Sequence, residues 1–176
     1  RSSHTIPTPR GGGLAFVVVF LIGLVALWQF DMVDLRLFLA LVGGGSIIAG
    51  LGWIDDKQGL SARIRLIFHF IAAAWVVFCL DGFSSLNLGF TELNLFWVAN
   101  VLVVIAIVWM INLYNFMDGI DGIAGTEAIT ILGAAAIFLW VQNSGLAAVC
   151  LLIIAAVLGF LIWNWPPAKV FMGDVG

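Results

Sequence analysis

The sequence predicts an all-α polytopic membrane protein, a transmembrane helical bundle of about six spanning helices, and three observations carry that prediction. Hydrophobic residues fill 63% of the 176 positions and charged residues only 10%, against roughly 25% charged in soluble domains. Mean hydropathy is +1.17. The apolar residues gather into six runs, each near the ~20 residues a helix needs to cross a bilayer. Hydrocarbon offers no water to backbone N–H and C=O groups, so each run is expected to be helical.

The runs are 14–30, 35–54, 66–80, 95–114, 126–141 and 146–165. Gly43, Gly44, Gly45 and Gly50 in the second read as points of close helix packing. The third is short and carries His69, which reads as an interhelical hydrogen-bonding residue rather than a ligand. The fourth runs straight into a polar cluster, and the fifth opens on polar residues. Trp28, Trp53, Trp163 and Trp165 fall near run ends, where indole rings anchor at the membrane interface. Cys79 and Cys150 lie inside apolar runs and read as packing residues, neither disulfide-bonded nor reactive. The sequence shows no internal repeat and no low-complexity linker.

Orientation follows from the few basic residues. Arg1 and Arg10 precede the first run, Lys57, Arg63 and Arg65 lie between the second and third, and Lys169 follows the sixth. If all six runs cross, these fall on one side, and Arg36 alone is left opposite, among Asp31, Asp34, Asp81 and Glu92. The positive-inside rule therefore places the N-terminal segment in the cytoplasm. Because the charges are segregated by leaflet, the net charge of −3 says little about partners.

Four segments on that face carry more polar chemistry than connectors need. In the most informative, Asn112, Asn115 and Asp118 recur every third residue, roughly along one face if the helix continues, and Gly119, Asp121 and Gly122 follow. Carboxylates at a bilayer surface are costly unless paired, so the cluster points to a cation or a polar substrate. A second segment places Asp55 and Asp56 at a helix C-terminus, where acids oppose the dipole. Mg²⁺ is typically held by one or two carboxylates plus substrate phosphates, and Lys57, Arg63 and Arg65 nearby fit a metal-assisted phosphate site. A third segment, His4 to Gly13, combines two prolines, Arg10 with donors suited to phosphate, and three glycines that expose backbone amides. In the fourth, Asn164 precedes Phe171, which could stack on a base or sugar, and Asp174, which sits between glycines. Chance would scatter Asp55, Asp56, Asp118, Asp121 and Asp174, yet the topology gathers them on one face.

In these motifs the chain resembles the polyprenyl-phosphate N-acetylhexosamine-1-phosphate transferases of glycosyl transferase family 4. The resemblance runs nearly end to end. It rests on Ile6 to Gly13, on Asp55 and Asp56 followed by Gly59 to Arg63, on Asn112, Asn115, Asp118, Gly119, Asp121 and Gly122, and on Phe171 to Gly176. It implies a Mg-dependent enzyme, with Mn²⁺ as the alternative ion. The implied reaction moves sugar-1-phosphate from a UDP-N-acetylhexosamine to undecaprenyl phosphate, releases UMP, and initiates O-antigen or another cell-envelope polysaccharide.

By position in those motifs, Asp174 and Asp118 are implied at the metal, and Asp55, Asp56, Asp118 and Asp121 as catalytic residues. Arg10, Arg63, Asn112, Asn115, Asn164 and Phe171 are implied in substrate binding, the last two near the uridine. Lys57 follows the acid pair immediately, a spacing that differs from some branches, and is assigned no particular phosphate. The implied location is the bacterial inner (cytoplasmic) membrane, with the active site on the cytoplasmic face. Expected partners are the bilayer and the two substrates, with no nucleic acid, and a homodimer stays open.

The chemistry is consistent with those residues. Both substrates are anionic, so cations must neutralise the pyrophosphate before they can approach. The lipid phosphate is largely a dianion at neutral pH, its second pKa being near ~6, so little base catalysis is needed. Direct attack on the β-phosphorus is favoured over a covalent aspartyl-phosphate. The donor sugar stays open among GlcNAc, FucNAc and QuiNAc. The chain reads as a single integral-membrane catalytic domain over 1–176, incomplete at both ends. A multi-pass transporter or ion channel with carboxylate sites is the rival reading. Motifs confined to one face and the lack of inverted repeats weigh against it.

Overall fold

The computed structural model describes residues 9–87 and 89–176, except the side chains of 86 and 87. In chain order the elements are α1 (Gly13–Gln29), α2 (Leu35–Gln58), α3 (Ala62–Cys79), β1 (Ser85–Asn87), β2 (Glu92–Asn94), α4 (Trp97–Met117), α5 (Ile123–Gln142) and α6 (Ser144–Asn164). The six apolar runs thus become six helices, and the molecule is an all-α polytopic membrane bundle. Five of the helices are long and apolar enough to cross a membrane, and α1 is an apolar helix of 17 residues.

Local chemistry sets the ends. Asp34 caps α2 by accepting from Leu37 N at 2.7 Å, and Asn143 caps α6 through Leu146 N at 3.0 Å. Ser61 caps α3, with Ile64 N 3.4 Å from its Oγ. That cap starts α3 at Ala62, earlier than hydropathy suggests, so Arg63 and Arg65 are helical. The α2 helix likewise runs past residue 54 and ends at Gly59, whose φ of 67° is left-handed. Asp55 and Asp56 therefore belong to the last turns of a helix.

The helices form an arc. The first helix packs on both α2 and α6; α3 adds to α2, α4 to α3, and α5 to α6. Small residues let the backbones approach, as expected where lipid removes the hydrophobic drive for helix association. Ala40, Ala72, Ala73, Ala147 and Ala156 are all buried. Of the four glycines expected at packing points, Gly43 lies under the Trp75 ring, whose Nε1 donates to Leu39 O at 3.0 Å, and Gly44 faces Val76. Gly45 and Gly50 face open space. Cys79 and Cys150 are free.

The two ends of the bundle differ. At one, the exposed side chains of Arg36 and Asp81 form an ion pair. Beyond it β1 and β2 make a short antiparallel hairpin with Leu86 opposite Leu93, an element not expected from the sequence. The other end collects residues 9–12, the start of α3, the 118–122 turn and the segment after α6. Among the described residues it also holds Arg10, Lys57, Arg63, Arg65 and Lys169.

Candidate active site

The segment after α6 leaves through a cis Pro166–Pro167 bond and is held by side chains from three directions. Asn164, 1% exposed, accepts from Gly122 N at 2.9 Å and donates to Val170 O at 2.9 Å. Asp121 accepts from Ala168 N at 2.9 Å. Asp118 receives Met172 N on one oxygen at 3.1 Å and Gly173 N on the other at 3.0 Å. Asp56 Oδ1 accepts from Asp174 N at 3.2 Å. The polar entry joins in, with Phe171 N donating to Pro9 O at 2.9 Å, Gly12 N to Phe171 O at 3.0 Å and Gly13 N to Met172 O at 2.9 Å. The motif residues His4 to Thr8 lie outside the described residues.

These bonds bring the Asp174 side chain over the ends of α2, α3 and α4. Asn115 Nδ2 donates to Asp174 Oδ1. Asp55 is buried; Leu60 N donates to its Oδ1, and Arg65 Nη1 lies 3.2 Å from its Oδ2. The same Arg65 nitrogen is 3.8 Å from Asp174 Oδ2, so one guanidinium serves two carboxylates. Together these groups line a cavity of about 110 Å³, with Asn112 and His69 also in its wall. Ile48, Ile111 and Gly176 line it too, and the same three border an apolar chamber of about 260 Å³ between α1, α2, α3 and α4.

Three carboxylates against one nearby arginine leave the site short of positive charge. Burial first, and then the neighbouring Asp55 carboxyl, push the Asp174 pKa up to about 6, while Asn115 pulls it back. Burial raises the Asp118 pKa as well, opposed by the Gly173 and Met172 N–H groups and the charge of Arg10. Asp56 Oδ2 is buried with no hydrogen-bond partner, and no other buried side-chain oxygen or nitrogen among the described residues is so placed. An orphaned carboxylate oxygen beside an acid of raised pKa fits a cation. Among the described residues no three acids, histidines or cysteines converge into a metal cage. Asp56 and Asp174 are the two carboxylates that could hold a hard cation.

Residues 38–176 match the family model described as glycosyl transferase family 4. The chain belongs to that family. It is 34% identical over 182 residues to a probable undecaprenyl-phosphate N-acetylglucosaminyl 1-phosphate transferase of Bacillus subtilis (strain 168), an alignment covering 100% of this chain and 49% of that protein. It is 37% identical over 190 residues to a phospho-N-acetylmuramoyl-pentapeptide-transferase of Picosynechococcus sp., covering 96% and 49%. With a protein of the same name from Geobacillus thermodenitrificans it shares 35% over 192 residues, covering 96% and 56%. The chain spans about half the length of the curated relatives it matches.

Within this family member, the expected site residues separate by position. Asp55, Asn112, Asn115 and Asp174 share the cavity, and Asp56 and Asp118 lie directly behind Asp174. Asp121 lies apart, in an open cleft of about 360 Å³ with Thr126, Glu127 and Trp165. Arg10 is exposed near Asp118. Two expected substrate contacts differ. Asn164 is buried with both ends of its amide engaged by backbone, which makes it a strut, and the Phe171 ring is buried, 5% exposed, with no open face for a base. Arg63 is exposed and outside the cavity, whereas Arg65, expected with it near a phosphate but not among the implied substrate contacts, is in it. The helical spacing of Ala62, Arg65 and His69, all in the cavity wall, is the signal that picks out Arg65.

Proposed function

We propose that the intact protein transfers N-acetylhexosamine-1-phosphate from a UDP-sugar to undecaprenyl phosphate at the cytoplasmic face of the bacterial inner membrane. The observation that carries this reading is the junction of the charged cavity with the apolar chamber, which share Ile48, Ile111 and Gly176. A phosphate head on a hydrocarbon tail matches that pair of environments. The names of the relatives in Bacillus subtilis and Picosynechococcus point to the same class of reaction.

In this reading Asp174 and Asp56 are the residues that would hold Mg²⁺ or Mn²⁺, with Asp118 fixing the turn that carries Asp174. When bound, the ion supplies charge neutralisation for the pyrophosphate and for the departing UMP. Arg65 orients Asp55 and Asp174, and Arg10 adds positive charge at the rim. An oxygen of the lipid phosphate forms a bond to the β-phosphorus. The bond from that phosphorus to the bridging oxygen breaks, and UMP leaves with the electron pair. The attacking dianion needs no proton removed. Asp55 is poorly suited as a covalent nucleophile, since it is 7% exposed and both its oxygens are engaged.

The test is incubation of purified full-length protein with undecaprenyl phosphate, Mg²⁺ and a radiolabelled donor panel. The panel includes UDP-GlcNAc, its deoxy analogues and UDP-MurNAc-pentapeptide. Metal-dependent UMP release with one donor is the expected result, and the preferred donor separates O-antigen or other polysaccharide initiation from peptidoglycan synthesis. No release with any donor overturns the reading.

A further inference from the structure

His69 lies in the middle of α3, 8% exposed, in the wall of the charged cavity. Its Nδ1 is 3.1 Å from Nδ2 of Asn112 on α4. The same Asn112 nitrogen is 2.7 Å from Val108 O, one turn back along its own helix. The carbonyl of Val108 can only accept, so the amide must turn its nitrogen toward it; the reverse orientation would set two acceptors against each other. One amide hydrogen is thereby spent. The other is directed at His69 Nδ1, which accepts it only when that ring nitrogen carries no proton, so the proton resides on Nε2.

Both Asn112 hydrogens then belong to the protein, and what the exposed Asn112 offers a ligand is the carbonyl oxygen Oδ1. An acceptor repels phosphate oxygens and suits an O–H or N–H group. We propose that His69 is a positioning residue. As the neutral Nε2–H tautomer it locks the Asn112 amide so that Oδ1 receives a hydroxyl or N–H donor of the nucleotide-sugar. The inference rests on the transferase reading above.

The experiment compares wild type, His69→Phe and His69→Asn in the full-length protein. Phe keeps a ring without an acceptor, whereas Asn puts Oδ1 close to where Nδ1 stands. His69→Phe should raise KM for the UDP-sugar about tenfold, the scale of one misdirected hydrogen bond, and leave KM for the lipid phosphate unchanged. His69→Asn should recover most of that loss. Independently of activity, ¹⁵N-histidine spectra of wild type should show the His69 signal, assigned by its loss in His69→Asn, with Nδ1 bare and Nε2 protonated. A protonated Nδ1, equal impairment of both variants, or a His69→Phe KM equal to wild type overturns the inference while wild-type turnover stands. If His69→Phe does not fold, His69→Asn kinetics and the tautomer decide. Wild type that releases no UMP overturns the transferase reading, and the substrate contact with it.

Discussion

Gly52 in α2 lies directly against the backbone of Asp174. A Cβ built on Gly52 would overlap the Asp174 carbonyl and stand 2.5 Å from Val175 N. The helix cannot retreat, because its next turn carries Asp56, which holds Asp174 N, and Asp55, which shares Arg65 with Asp174. Gly52→Ala should therefore cut turnover about 100-fold, the scale of an ångström misplacement. The helix itself gains from Ala by up to ~1 kcal/mol, which offsets only part of the ~1–3 kcal/mol that such overpacking costs, so the unfolding temperature in detergent should fall modestly while turnover collapses. Steady-state kinetics beside an unfolding curve check this, and a fully active Gly52→Ala would mean that the loop has freedom to move.

Asn164 should behave as a strut. Removing its amide leaves Gly122 N and Val170 O unpaired in a buried setting, at roughly 1–3 kcal/mol each. Asn164→Ala should lower the unfolding temperature and loosen the 165–176 segment to protease. Asn164→Asp keeps the acceptor for Gly122 N but turns a carboxylate toward Val170 O, and should be at least as damaging. If both variants keep wild-type stability and raise only KM for the UDP-sugar, Asn164 binds substrate after all.

The two arginines of α3 make a sharper comparison. Arg65 bridges Asp55 and Asp174, whereas Arg63 is exposed outside the cavity. Arg65→Gln leaves buried Asp55 without its cation and should reduce kcat/KM roughly 10- to 150-fold, in line with a charge-assisted bond worth about 1.5–3 kcal/mol. Arg63→Gln should stay within about threefold, as surface charges usually do. Reversal of that order in parallel kinetics would place Arg63 at the substrate.

These cases show where the sequence speaks and where it does not. Hydropathy and basic-residue counting located six helices and one charged end because both depend on residue type alone. The gathering of Asp55, Asp118 and Asp174 followed from topology. Arg65 was grouped with Lys57 and Arg63 near a phosphate but not singled out from them, because the apolar run begins at 66, and only the Ser61 cap reveals that the helix has already started. Asn164 and Phe171 were expected at the substrate for a related reason. Asn164 is engaged by Gly122, and the Phe171 backbone is tied to Pro9 and Gly12, partners far away in the sequence that no local pattern encodes. The hairpin did carry a signal, the alternation of Leu86, Leu88 and Phe90 and of Leu93 and Leu95 about Gly89, but a span-length hydropathy count passes over strands of three residues.

The pH response of the metal-free protein tests the carboxylate cluster directly. Asp174 has a folded pKa of about 6 against an ordinary 3.8, so the folded state binds its proton more tightly than the unfolded state does. Its contribution to stability is fully present below the unfolded value and is lost as pH rises through about 6; Asp118 moves in the same direction. In EDTA, the unfolding temperature should therefore fall by several degrees between pH 5 and pH 7. Millimolar Mg²⁺ should restore it at pH 7 and do little at pH 5, where the proton already occupies the site. Asp174→Asn carries no charge to repel Asp55 and Asp56. It should flatten the pH profile in EDTA, lose the Mg²⁺ response, and abolish turnover. Unchanged Mg²⁺ stabilisation in Asp174→Asn would remove Asp174 from the metal site, and a wild-type profile in EDTA that is flat from pH 5 to 7 would show that the cluster is better solvated than its burial implies.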